Sequence, residues 1–328
     1  GFTNLDQNGN IPRAKLERNT INFNSKYNLS ERISVGLTGN YVRTDAENRN
    51  ITGYNGGNPM QAFTQWWQTQ LDVDRLRESA NRTDGSQYTW NPIGPVVDGD
   101  GNFLSFNQVP KFFDNPYWVR DNYLQEDTRN RFFGNANVNI NLAEGLDLGA
   151  RFGTDLYQFS LREGIPNASA EPGLYGEEER RFQETNMEVT LRYNKNFGDF
   201  SVSALAGGNR MRQLNRLTDM QTVGGLALEG FWNISNSFFS PNINTNERQW
   251  GINSAFASAS FGYKSFLYLD LTARNDWSST LPDSENSYFY PSASLSVVLS
   301  ELPGISDLSF LSFAKLRGSY AEVGNDAA

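Results

Sequence analysis

The chain has 328 residues, enough for one large domain or two ordinary ones, and a net charge of −9, which argues against a nucleic-acid partner that needs a basic face. It has no cysteine and no histidine, so it offers no disulfide framework, no thiolate or imidazole metal ligand and no histidine general base. Hydrophobic residues make up only 38% while aromatics reach 13%, a mixture foreign to disordered chains and suited to strands whose every second residue is polar.

Residues 1–17 are polar and read as a turn-rich loop. Asp6, Asn8, Asn10 and Glu17 have a faint calcium-loop spacing, but Ile11 stands where such a loop needs glycine, so an ordinary loop is expected. Ile21, Phe23, Ser25 and Tyr27 then alternate with Asn22, Asn24 and Lys26. After a turn at 29–32, Ile33, Val35, Leu37, Gly39 and Tyr41 alternate with Ser34, Gly36, Thr38 and Asn40, which predicts a hairpin. The rhythm breaks over 46–120, read as a long loop. Asn58-Pro59 starts a helix in it, with Met60, Phe63, Trp67 and Leu71 at helical spacing up to about Glu78. Asp98, Asp100 and Asn102 lack the remaining ligands of a calcium loop and read as a turn.

Phe132, Gly134, Ala136, Val138 and Ile140 alternate with Phe133, Asn135, Asn137 and Asn139. A turn at 143–145 leads to Leu146, Leu148, Ala150, Phe152 and Leu156, a second hairpin. Residues 162–180, with Glu177, Glu178 and Glu179, read as a polar loop. Met187, Val189, Leu191 and Tyr193 form the next strand, and a turn at 196–199 leads into Phe200, Val202, Ala204 and Ala206. A third long excursion is expected at 210–247; its Gly224-Gly225 pair lacks the Lys-Ser/Thr of a phosphate loop. A strand at 249–263 turns into the clearest hairpin of all. There Leu267, Leu269, Leu271 and Ala273 face the same way as Phe289, Pro291, Ala293, Leu295 and Val297, and residues 309–323 make a last strand.

No stretch of about eighteen apolar residues is present to form a transmembrane helix, and residues 1–20 show no secretory leader; neither absence assigns a compartment. The strands themselves point to a bilayer. About ten are predicted, many with the nine to eleven residues that a tilted membrane strand needs. Short links (28–32, 143–145, 196–199, 263–265) alternate with long ones (46–120, 162–180, 210–247), as in a barrel with short periplasmic turns and long extracellular loops. Asn22, Asn24, Asn135, Asn137, Asn139, Arg151, Asp155, Arg192, Asp270 and Arg274 would be costly in a dry core and are at ease in a wet lumen. The fold class is therefore all-β, an antiparallel transmembrane β-barrel segment. The chain begins without Met and ends inside a strand region, so we expect it to be an internal piece of one outer-membrane barrel domain.

Three stretches carry a family resemblance. Thr272-Ala273-Arg274-Asn275-Asp276-Trp277-Ser278-Ser279 is followed by Tyr290-Pro291-Ser292-Ala293-Ser294 and then by Lys315-Leu316-Arg317-Gly318-Ser319-Tyr320 with Gly324-Asn325; Asn115-Pro116-Tyr117-Trp118 precedes a long strand. In this order the chain resembles the SusC/RagA family, TonB-dependent outer-membrane transporters of Bacteroidota. The resemblance implies a barrel of about 22 strands with a plugged lumen. It also implies a SusD-like lipoprotein lid, energy from TonB through the plug region, oligosaccharide or oligopeptide cargo, and dimers of transporter–lid pairs. It places the plug and the closing strands outside this chain.

On this reading Arg151, Asp155, Asp270, Arg274 and Asp276 face the lumen, where Asp270, Arg274 and Asp276 are expected to pair with neighbouring strands or the plug. Trp66, Trp67, Trp90, Trp118 and Trp232 are candidates for cargo or partner contact, against interface anchoring or loop packing. No catalytic residue, metal ligand or cofactor is assigned. The alternatives are a passive porin or secretion barrel with the same wall, and a soluble all-β glycosidase, for which no carboxylate pair stands out from the lumen pattern.

Overall fold

The computed structural model describes residues 1–64, 68–305 and 311–324, with the backbone alone at 106. β1 (Phe2–Asn8), β2 (Lys15–Asn28) and β3 (Ile33–Glu47) precede an insertion. It holds α1 (Pro59–Thr64), α2 (Val73–Glu78), a small hairpin of β4 (Pro95–Val97) and β5 (Phe103–Phe106), and α3 (Pro116–Asn122). The chain continues through β6 (Leu124–Ala143), β7 (Leu146–Ile165), β8 (Leu174–Phe197), β9 (Phe200–Leu226) and β10 (Ser237–Tyr263). It ends with β11 (Leu267–Ser278), β12 (Ser287–Val298) and β13 (Lys315–Ala321). Among the described residues, all strands but β4 and β5 join one 11-stranded antiparallel sheet in chain order.

Register turns the alternation of each strand into two continuous faces. Ile33, Ile140, Leu148, Leu191, Ala206, Ala257, Ala273 and Pro291 lie opposite one another in successive strand pairs. Asn137, Arg151, Glu188, Asn209, Ser254 and Asp276 do the same three residues away, on the other face. A one-residue slip anywhere would exchange the two faces, so the pattern specifies the pairing. Leu269, Leu295 and Leu316 remain 36%, 50% and 65% exposed, so among the described residues no second layer covers the apolar face as in a soluble sandwich.

The apolar band has a defined height. Counted from the rim of tight turns (29–32, 144–145, 198–199, 264–266), it lasts about ten residues on each long strand, the span of a bilayer crossing. It runs from Phe197 to Met187 on β8 and from Leu267 to Trp277 on β11. Phe200, Tyr263 and Phe266 cluster at the turn rim, with the first two rings 4.7 Å apart, and Trp277 and Phe289 stand at the upper edge, as aromatic girdles do.

β9 and β10 are 27 residues long. At about 3.3 Å per residue that is roughly 90 Å of strand, against a band about 25 Å tall. The ladders therefore continue well beyond the membrane, and there the sequence reading needs correction. Residues 2–8 of the expected first loop form β1, bringing the sheet to eleven strands rather than about ten. The links drawn at 162–180 and 210–247 shrink to 166–173 and 227–236, and Glu177–Glu179 lie within β8. Above the band both faces meet water, so hydrophobic alternation disappears while backbone pairing persists. Cross-strand contacts such as Arg162–Glu126 and Arg216–Glu247 accompany it. β12 ends at Val298 and β13 begins at Lys315 on the turn rim, so the connections on that rim are not uniformly short.

Candidate functional site

The insertion between β3 and β6 sits over the loop rim and has its own small core. Ala62, Leu76, Trp90 and Phe113 are buried together, with Leu71, Tyr88 and Tyr117 packed around them. The single helix expected from Asn58 appears as α1 and α2, each of six residues. Asn115 organises the rest. Its N–H donates to Gln87 Oε1 (2.6 Å), and its side-chain amide donates to the carbonyls of Leu76 and Tyr88 (both 2.9 Å). Its Oδ1 accepts the Tyr117 N–H as the N-cap of α3, with Pro116 in the first turn.

Burial in the insertion removes two of the aromatic candidates from the surface. Trp90 is 8% exposed and Trp118 1%; both are loop packing rather than open platforms. Trp232 is half-buried beside Tyr175, with ring centroids 6.2 Å apart. Trp66 and Trp67 lie outside the described residues. Large aromatics supply most of the burial available to so small a core, which is why packing claims them.

Asp114 ties the insertion to the 166–173 link. It accepts hydrogen bonds from Gln87, Tyr123, Ser169 and the Ala170 N–H. Burial pushes its carboxyl above the usual range despite these four donors, and burial together with Asp114 holds the Tyr123 phenol far above its ordinary value. Asp98 accepts from the N–H groups of Asp100 and Asn102 and from the Asn102 side chain, so the acidic turn is closed on itself. Among the described residues no group of three or more acidic side chains is arranged to hold a metal ion.

The inward face of β6–β9 carries a concavity of about 440 Å³, lined by Asn135, Arg151, Asp155, Glu184, Asn186 and Glu188 among others. Its cations and anions lie on facing strands: Arg151 is opposite Glu188, and Asp155 opposite Glu184. Asp155 is gripped by Arg131, Nε to Oδ1 at 2.9 Å and Nη2 to Oδ2 at 2.5 Å. Arg131 was missed in the sequence because Phe133, one step along the same face, breaks the run of inward amides. Further round, Arg274 Nε donates to both oxygens of Asp276 (2.8 and 3.0 Å) and its Nη2 to Ser254 Oγ (2.8 Å). That pair lies within one strand rather than between strands. Asp270 takes a hydroxyl from Ser260 at 2.5 Å, not a cation. The five charged candidates thus share one polar face, and the concavity brings only Arg151 and Asp155 together. The arrangement can bind polar groups by charge-assisted hydrogen bonds.

No family model matches the chain. It is 24% identical over 334 residues to TonB-dependent receptor P26 of Formosa agariphila, covering 98% of this chain and 30% of that protein. It is also 24% identical over 339 residues to TonB-dependent receptor P3 of the same organism, covering 97% and 30%. Among solved structures, the RagAB peptide importer in its closed-closed state aligns with a TM-score of 0.72 at 17% identity, over 99% of this chain and 34% of that one. The RagAB peptide transporter aligns at 0.68 and 18%, over 94% and 33%. The chain therefore spans about a third of the length of the proteins it matches.

Proposed function

Since the chain is a SusC/RagA-like segment of a TonB-dependent outer-membrane β-barrel, we propose that it forms part of the wall of an active importer of bulky nutrients. The observation that supports this best is the division of one sheet into a predominantly apolar outward band and an inward face of amides and paired charges. A wall of this kind seals against lipid outside and presents hydrogen-bonding groups inside, to a plug and to passing cargo. The inward concavity around Arg151, Asp155 and Glu184 suits a polar surface such as a plug loop, an oligopeptide or an oligosaccharide.

In this reading the 48–123 insertion, held rigid by Asn115 and Asp114, is the platform on the loop rim for a SusD-like lipoprotein lid. TonB acts through a plug carried elsewhere in the full protein, and transporter–lid pairs assemble as dimers. The chain itself does no catalysis. A passive porin or secretion barrel would use the same wall, so energy coupling separates the two. Cells carrying the full-length protein are given labelled oligopeptide and oligosaccharide pools, with and without an uncoupler. Import of one pool that stops with the uncoupler and falls on Arg151→Glu supports the proposal. Flux of small solutes indifferent to the uncoupler replaces it with a porin.

A further inference from the structure

The outward face of β6–β9 is not a uniform greasy wall. Ala136, Ala150 and Gly208, on strands β6, β7 and β9, leave a depression beside the larger Phe152 and Met187, which lie opposite each other on β7 and β8. It is an almost wholly apolar groove of about 640 Å³ with Arg210 on its lining. Phe152 and Met187 are 43% and 52% exposed, as walls of an open groove would be. Arg210 lies ten residues above the turn rim on β9, where the apolar band ends, and Arg212 follows two residues later on the same face.

The two guanidiniums lack a counter-charge. Among the described residues Arg210 has no hydrogen bond or ion pair, and Arg212 donates only to the Met211 carbonyl (2.6 Å) and to Asn253 Oδ1 (3.1 Å). On the same face Arg43 is paired with Asp45 at 2.8 Å and Arg216 with Glu247, while Arg181, higher on β8, faces Arg216 across the strands. Two arginines without a carboxylate partner, Arg210 on the lining of the apolar groove and Arg212 one step above it beside Gly251, complement a molecule with an anionic head and a hydrocarbon tail, and their planar forks match phosphate. The rim they stand on carries the long insertion and so faces outward, beside the outer leaflet.

We infer that this groove holds one phosphorylated glycolipid of the outer leaflet, an acyl chain lying along Ala136, Ala150 and Gly208 and a headgroup phosphate on Arg210 and Arg212. The site depends on the orientation of the barrel and not on what the barrel imports, so it stands or falls separately from the transport reading.

The test is lipid retention by the full-length protein, extracted from outer membranes in mild detergent and analysed by native mass spectrometry, with heat-resistant migration as the check on folding. The unaltered protein keeps phosphorylated glycolipid, and Arg210→Gln/Arg212→Gln keeps about tenfold less, as loss of charge-assisted hydrogen bonds implies. Gly208→Phe fills the groove and also loses the lipid; a Cβ there meets only the Ser254 carbonyl oxygen, at an ordinary 3.4 Å, so the backbone accepts it. Arg248→Gln, on the inward face, retains as much as the unaltered protein. Equal retention by the unaltered and double-arginine proteins overturns the inference, as does an anionic phospholipid in place of the glycolipid or an equal loss in Arg248→Gln. Should the double variant fail to assemble, Gly208→Phe decides alone.

Discussion

Ser169 donates its hydroxyl to the carboxylate of Asp114 across 2.5 Å and so fastens the 166–173 link to the insertion that begins after β3. Gln87 Nε2 and the Ala170 N–H reach the other oxygen, Oδ1, at 2.7 Å each, and the Tyr123 hydroxyl shares Oδ2 at 2.9 Å. One oxygen thus faces fixed N–H donors and the other faces two hydroxyls, which can turn round and accept.

That geometry makes the loop assembly pH-sensitive. Burial raises the folded-state pKa of Asp114 above its unfolded value of 3.8, so the folded state holds the proton more tightly. Stability therefore rises as the pH falls through the folded value, and the gain is complete below the unfolded one. Hydrogen exchange of the 80–123 backbone should slow as the pH is lowered through this window, after correction for the intrinsic rate. Asp114→Asn keeps an acceptor for the N–H groups and should abolish the slope. Asp114→Ala strands the donors and should weaken the assembly by roughly 1–3 kcal/mol.

Leu271 lies midway up the lipid-facing band and Phe289 near its upper edge. Leu271→Arg should destabilise the barrel by about 2–4 kcal/mol, and Phe289→Arg by no more than about 1 kcal/mol. Unfolding of the full-length protein in detergent–lipid mixtures measures both. Equal effects would mean that the band does not span the bilayer at this height.

Arg131 and Asp155 form a two-pronged pair whose side chains are 38% and 29% exposed. Water screens a pair so open, so a double-mutant cycle with Arg131→Ala and Asp155→Ala should give a coupling of about 1 kcal/mol rather than the several expected of a buried pair. The same cycle on Arg43 and Asp45, at 53% and 33%, should give a smaller coupling.

Gly145 turns the chain between β6 and β7 with φ +76°, and a Cβ there would stand 2.2 Å from the Asn194 carbonyl oxygen of the next hairpin. Gly145→Ala should lower stability by about 1–3 kcal/mol through strain and collision together. Gly198 has a similar φ of +62° but meets nothing within 4 Å, so Gly198→Ala should cost about 1 kcal/mol, from backbone strain alone. Comparing the two unfolding curves separates the contributions.

How much of this was legible in the sequence depended on height above the turn rim. Leu267–Ala273 and Phe289–Val297 alternate so strictly that their pairing and shared face follow from period two alone. Residues 2–8, 174–186 and 210–221 pair just as regularly, yet look like loops, because a strand with water on both sides needs no apolar residues. The charged candidates share one face of the sheet because alternation fixes which residues stand together. Which of them touch was not legible, since a partner such as Arg131 for Asp155 is set by cross-strand register and side-chain reach.

By itself the sequence determined that this protein is a stack of membrane-height strands, greasy on one side and hydrated on the other, because an alternating strand has only two sides to offer. Only the tertiary structure decided how far the ladders rise above the bilayer, that Trp90 and Trp118 are buried rather than contact surface, and that Arg210 lines an apolar groove without a counter-charge among the described residues. Those outcomes depend on contacts between residues far apart in the chain, and local periodicity carries no record of them.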